Sequence, residues 1–187
     1  MKEANIITQT KAWIERLVIG MNLCPFASTP FRKGQIRFRV IKGVQSSEQW
    51  SRILLNEGRL LLDPAQSTPI ETTLLLLPQG WSDFAEYLGL VDALEQLILQ
   101  AGWEGDMQIA SFHPDYQFAD SGVDDPANFT NRSPYPMIHL LREDRMAEAL
   151  ANYPTPEQIP EANVVRMRDL GKEQLEKLLD EIKKIDT

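Results

Sequence analysis

The sequence predicts an α/β (α+β) fold: a single mixed sheet of about four strands with helices packed on it, and helices at both ends. Three observations predict it. Helical stripes alternate with short strand-like runs along most of the chain. One of those runs, residues 72–77 (TTLLLL), is continuously apolar and closed by Pro78 and Gly80, as buried central strands are. A long polar stretch separates the last two strands, which permits an antiparallel return.

Each element has its own signal. Ile6, Trp13, Ile14, Leu17, Val18 and Met21 recur at helical spacing, so residues 5–21 read as a first helix with Gly20 near its end. Pro25 disfavours helical geometry at Cys24 and places the thiol just past that helix. In residues 35–41, Ile36, Phe38 and Val40 alternate with Arg37 and Arg39, the pattern of a half-buried strand. Ser46 and Gln49 make a capping box before a stripe of Trp50, Ile53, Leu54 and Leu61. Ser82 caps the next helix, whose face runs from Phe84 and Tyr87 to Leu97 and Ile98, and Gly102 ends it. Residues 107–112 and 137–142 read as the third and fourth strands, and 143–153 as a helix. Pro154, Pro156 and Pro160 punctuate an irregular run, and Leu175, Leu178, Leu179, Ile182 and Ile185 mark a last helix. Residues 1–171 are therefore expected to form one domain. Residues 172–187 are expected to be an amphipathic helix packed on it or extending from it.

Composition narrows the functional classes. The 187 residues are 43% hydrophobic and 25% charged, ordinary globular values. Net charge is −8 and the pI about 4.8, which gives no basic footprint for nucleic acid. The only basic cluster runs from Arg32 to Arg39. No apolar run reaches the ~20 residues that span a bilayer, and no signal-peptide pattern opens the chain. One cysteine, Cys24, allows no internal disulfide. A cytoplasmic protein is expected. In that compartment the two glycosylation sequons, at Asn128 and Asn131, carry no meaning.

The chemistry-bearing residues concentrate in residues 112–143, FHPDYQFADSGVDDPANFTNRSPYPMIHLLRE. Loops longer than ~12–15 residues are uncommon in compact domains unless functional or disordered. Both histidines of the chain, His113 and His139, flank this one. Whether they share a sheet face depends on strand register. Three chemistries suit these residue types. His113, with His139 as a second candidate, acts as acid or base, oriented by Asp115, Asp124 or Asp125, while Arg132 and Arg142 hold an anionic substrate. Alternatively His113, His139, Asp124 and Asp125 bind a divalent metal, though their spacing matches no metal motif. In the third, Cys24 is a nucleophile activated by a histidine brought near in space.

Plain structural roles compete with all three. A lone cysteine is most often a small buried hydrophobe. His139, inside "MIHLL", reads as a hydrogen-bonded core histidine, and Arg142 as a surface partner of Glu143 or Asp144. The Asp-Pro and Asn-Arg-Ser-Pro stretches are good turn chemistry. Cys24-Pro25 also matches the dipeptide of some haem-responsive proteins, a very short motif.

Three stretches, "NLCPFA", "SFHPDYQFA" and "NRSPYPMIHLLRE", resemble a mostly bacterial family described as domain of unknown function 1415. The resemblance runs from the first helix to about Gly171. It implies that Cys24, His113, Tyr116, Asn131, Arg132, Ser133, His139 and Arg142 belong to the family pattern, and it carries over no reaction. The expectation is a cytoplasmic enzyme, hydrolytic or group-transfer, acting on a small anionic molecule. Its catalytic residues would be His113, Asp115 and His139, with Tyr116, Asn131, Arg132, Ser133 and Arg142 binding substrate. The alternatives are a metal- or cofactor-binding protein and an interaction module.

Overall fold

A computed structural model describes residues 2–63, 65 and 69–186. Met1 and Thr187, the outer ends of the two expected spans, lie outside the described residues. The chain folds as α+β, with seven α-helices among the described residues and one four-stranded mixed sheet.

The first helix, α1 (Glu3–Trp13), runs directly into a π-helical segment (Ile14–Ile19). A short α2 (Ser28–Arg32) leads to strand β1 (Ile36–Val40). Helix α3 (Ser47–Leu62) starts on the expected capping box: Ser46 accepts from the Gln49 amide, and the Gln49 side chain accepts from the Ser46 amide. Strand β2 (Thr72–Leu76) follows and is buried throughout. Helix α4 (Phe84–Gln100) is capped by Asp83, one residue after the expected Ser82. Strands β3 (Met107–Phe112) and β4 (Met137–Arg142) match their expected bounds. Helix α5 (Glu143–Ala151) leaves β4 without a connecting loop. Two helices close the chain, α6 (Ile159–Leu170) and α7 (Lys172–Lys183).

The strand order is β1-β2-β4-β3. β1 and β2 are parallel, joined by α3, while β4 lies antiparallel between β2 and β3. Side-chain alternation then divides the core in two. Leu75, Leu77, Ile138 and Leu140 face α3 and α4. Leu74, Leu76, Met137 and Phe112 face α1, α6 and α7. Leu175, Leu179 and Ile182 of α7 are buried in this second layer. Gln9 ties α7 to α1 by donating to the carbonyls of Lys183 and Ile185, both at 2.8 Å, which satisfies acceptors left over at the helix end. None of the helices among the described residues is long and apolar enough to cross a membrane.

Helix α6 is the main departure from the sequence reading. Pro160 lies in its first turn, where a missing amide donor costs nothing, rather than in an irregular run. Strand β1 is half-buried as expected, and on its polar side the partly exposed Arg37 and Arg39 bind the buried Glu57 of α3, each at 2.6 Å.

Candidate functional site

The long loop closes on itself. Asn128, fully buried, accepts from the Phe118 amide and the Ser121 hydroxyl and donates to the Gly122 carbonyl. Arg132 donates to the carbonyls of Tyr116 (3.1 Å) and Val123 (2.9 Å) and lies over the Phe129 ring. Asn131 donates to Ser111 O, and Ser133 to Tyr135 O. The Tyr116 ring packs between Phe84 and Phe118. Asp125 accepts from the Ala127 amide and pairs with Arg168, and Asp124 pairs with Lys172. These residues spend their polar groups on the loop and on its junction with α6 and α7.

His113 has no free nitrogen. The Asp115 amide donates to Nδ1 at 3.0 Å, so Nε2 carries the hydrogen and donates to Trp81 O at 2.9 Å. The ring is fully buried against Phe84 and Tyr87, and burial pushes its pKa below the ordinary value. Asp115 meets it through the backbone amide, and its carboxylate is not the group that orients the ring.

Register settles whether the two histidines share a face. Phe112 stands opposite Met137 and Ala110 opposite His139. His139 therefore faces the α1 layer with Phe112, while His113, one residue on, faces α4. The sheet separates them, so the metal set His113, His139, Asp124 and Asp125 is not assembled. Among the described residues no three His, Cys, Asp or Glu side chains are grouped to hold a metal ion. Arg132 and Arg142 are also parted. The loop joins the sheet at Met137, and Arg142 ends the same strand roughly 17 Å away at about 3.4 Å per residue.

His139 opens instead on a cavity of about 650 Å³, within the range of small-molecule sites. Its floor is the α1-facing side of the sheet: Ile36, Thr72, Leu74, Ala110, Phe112 and His139. Trp13, Ile14 and Val18 wall one side, and Arg142, Arg145, Met146 and Ala149 the other. The turn Cys24, Phe26 and Ala27 roofs it, with Phe26 edge-on to Tyr153 (centroids 5.6 Å). The exposed members, Thr29, Lys33, Arg145, Glu148 and Asn152, are polar and form the mouth.

The π-helical segment shapes the wall. Its wide turn bonds the Gly20 amide to Glu15 O at 2.9 Å and brings the Gly20 Cα so close that a Cβ would stand 2.4 Å from Arg16 O. The chain then reverses at Asn22, in the left-handed region (φ 50°). Helix α6 holds this turn, since Asn163 donates to Leu23 O at 2.7 Å.

Within the cavity the His139 tautomer follows from its neighbour. Thr72 has a single hydroxyl hydrogen and directs it to Leu140 O at 2.7 Å. The short contact from His139 Nε2 to the same oxygen, 2.5 Å, is then donated by the ring. Nδ1 is left with its lone pair and makes no hydrogen bond among the described residues. Burial lowers the ring's pKa to about 4, so it is neutral at pH 7. Burial also raises the Cys24 thiol, against the smaller opposing effect of the Phe26 and Ala27 amides, so Cys24 is a thiol rather than a thiolate at neutral pH.

The cations at the mouth differ in commitment. Arg142 grips Asp144 with two bonds (3.0 and 2.6 Å). Arg145 lies 3.5 Å from Glu71 and 3.1 Å from Glu148. Lys33 makes no ion pair among the described residues. Of the residues singled out in the sequence, the cavity gathers Cys24, His139 and Arg142. It adds Thr72, Trp13 and Phe112, which carried only strand or core signals, and Lys33 from the basic cluster.

No curated protein and no solved structure matches the chain. The family described as protein of unknown function (DUF1415) matches residues 5–177, and the chain belongs to that family.

Proposed function

We propose that the protein is an enzyme of the cytoplasm that acts on a small anionic molecule by hydrolysis or group transfer, with His139 as the acid–base group. The observation that carries this reading is the free Nδ1 of a tautomer-locked imidazole on the wall of a largely apolar cavity. Thr72 holds the ring as second-position carboxylates and carbonyls hold catalytic histidines elsewhere. Lys33, which makes no ion pair among the described residues, offers a cationic donor for the substrate's charged group, while Arg142 is held by Asp144. His113 and Arg132 act as positioning residues for the loop.

The test is a substrate screen of esters, amides and group-transfer donors bearing one carboxylate or phosphate, with the wild type and the His139→Gln and Arg32→Gln variants. Any activity found is expected to fall about 100-fold or more in His139→Gln, the usual worth of a general base, and to persist in Arg32→Gln. It should rise with pH through about 4 and reach a plateau by about pH 6, because His139 must be unprotonated to accept a proton. Activity that survives His139→Gln at the wild-type level contradicts the proposal.

A further inference from the structure

The acid–base reading of the cavity leaves its ligand open, and the polar groups around it narrow the choice. Resting on that reading, we infer that the occupant is a hydroxyaryl monocarboxylate, with its ring on the apolar floor, its hydroxyl at His139 and its carboxylate at Lys33.

The inner end of the cavity offers an acceptor. His139 Nδ1 has a lone pair, and the neighbouring Thr72 hydrogen is committed to Leu140 O. A carboxylate driven inward would face that lone pair among apolar walls and be desolvated without a compensating donor. A hydroxyl there donates its hydrogen to Nδ1 instead. The mouth offers the complementary group. Arg142 is held by Asp144, and Arg145 by Glu71 and Glu148, which leaves Lys33 as the uncommitted cation among the described residues. One free ammonium suits one negative charge. A di- or triphosphate calls for several donors together, which this mouth does not hold.

The body between the two ends meets aromatic walls. Trp13 stands edge-on to Phe112 with centroids 5.2 Å apart, and Phe112 lies 6.0 Å from the His139 ring. An incoming ring extends this array at the spacing aromatic pairs prefer. It also loses less rotamer entropy on binding than a flexible chain of equal area.

The full-length protein is titrated by calorimetry with three probes: para-hydroxyphenylpropionate, phenylpropionate, which lacks the hydroxyl, and para-ethylphenol, which lacks the carboxylate. The first is expected to bind tightest, and each missing group to cost about fivefold or more, the worth of one good hydrogen bond or charged contact. Lys33→Gln, at an exposed position, should abolish the preference for the carboxylate and leave the preference for the hydroxyl. His139→Leu should do the reverse. No binding of any probe at millimolar concentration, or preferences unchanged in both variants, overturns the inference. Turnover of another compound class that needs His139, without binding of these probes, also overturns it while the base assignment stands. Binding in the expected order without His139-dependent turnover supports the ligand class and removes the enzymatic reading.

Discussion

At the scale of single residues, the chain holds two histidines and uses them in opposite ways. His113 has both ring nitrogens bonded to backbone, whereas His139 keeps one free and presents it to a cavity. The difference comes from register, since strand side chains alternate and residues one position apart in phase land on opposite faces. Cys24 roofs the same cavity and gives a handle on it. Because burial raises its pKa, its reaction with a maleimide is expected to be slow at pH 7 and to accelerate as pH rises towards and beyond 9. A ligand filling the cavity should slow that reaction further. Mass spectrometry of the alkylated protein checks this, and rapid labelling at pH 7, indifferent to ligand, would contradict it.

At the scale of elements, Gly58 of α3 marks a close approach to the turn between α4 and β3. A Cβ there would stand 2.3 Å from the Trp103 ring, so the indole packs directly on the helix backbone. Gly58→Ala is expected to destabilise the fold by about 1–3 kcal/mol through overpacking, read as a lower urea midpoint. A midpoint equal to wild type would mean that Trp103 moves aside freely. Elements with strong local signals were legible in the sequence: the capping box of α3, the continuous apolar run of β2 and the bounds of β3 and β4. Helix α6 was not, because Pro160 reads as a breaker unless its place in the first turn is known. The π-helical segment was hidden because its apolar spacing barely differs from that of an α-helix. The candidate site was only partly legible. Cys24, His139 and Arg142 stood out by residue type. Their separation from His113 and Arg132 follows from pairing register and from which end of β4 each occupies, and a single sequence specifies neither.

For the whole molecule, the two histidines couple the fold to pH. Burial lowers the pKa of both in the folded protein, that of His139 to about 4, from the ordinary value near 6.5 of an unfolded chain. Between the folded and unfolded values the unfolded chain binds more protons, so stability rises with pH. No penalty acts above about pH 6.5. As pH falls towards about 4 the His139 penalty grows, and it levels off at about 3 kcal/mol once the folded ring also protonates. Urea unfolding at pH 7 and pH 4.5 should therefore show a smaller loss of stability in His139→Gln than in wild type. The His113 share remains in both. Equal pH dependence of the two proteins would show that His139 is not held neutral by burial.

His139, and not His113, is the chemically available imidazole, with its free Nδ1 in the cavity. Nitrogen NMR of histidine-labelled protein at pH 7, with and without para-hydroxyphenylpropionate, tests it most directly. Both rings should show a protonated Nε2 and an unprotonated Nδ1, and only the His139 Nδ1 resonance should move when the ligand is added. A His139 ring protonated at Nδ1, or a ligand response at His113 with none at His139, would contradict the account.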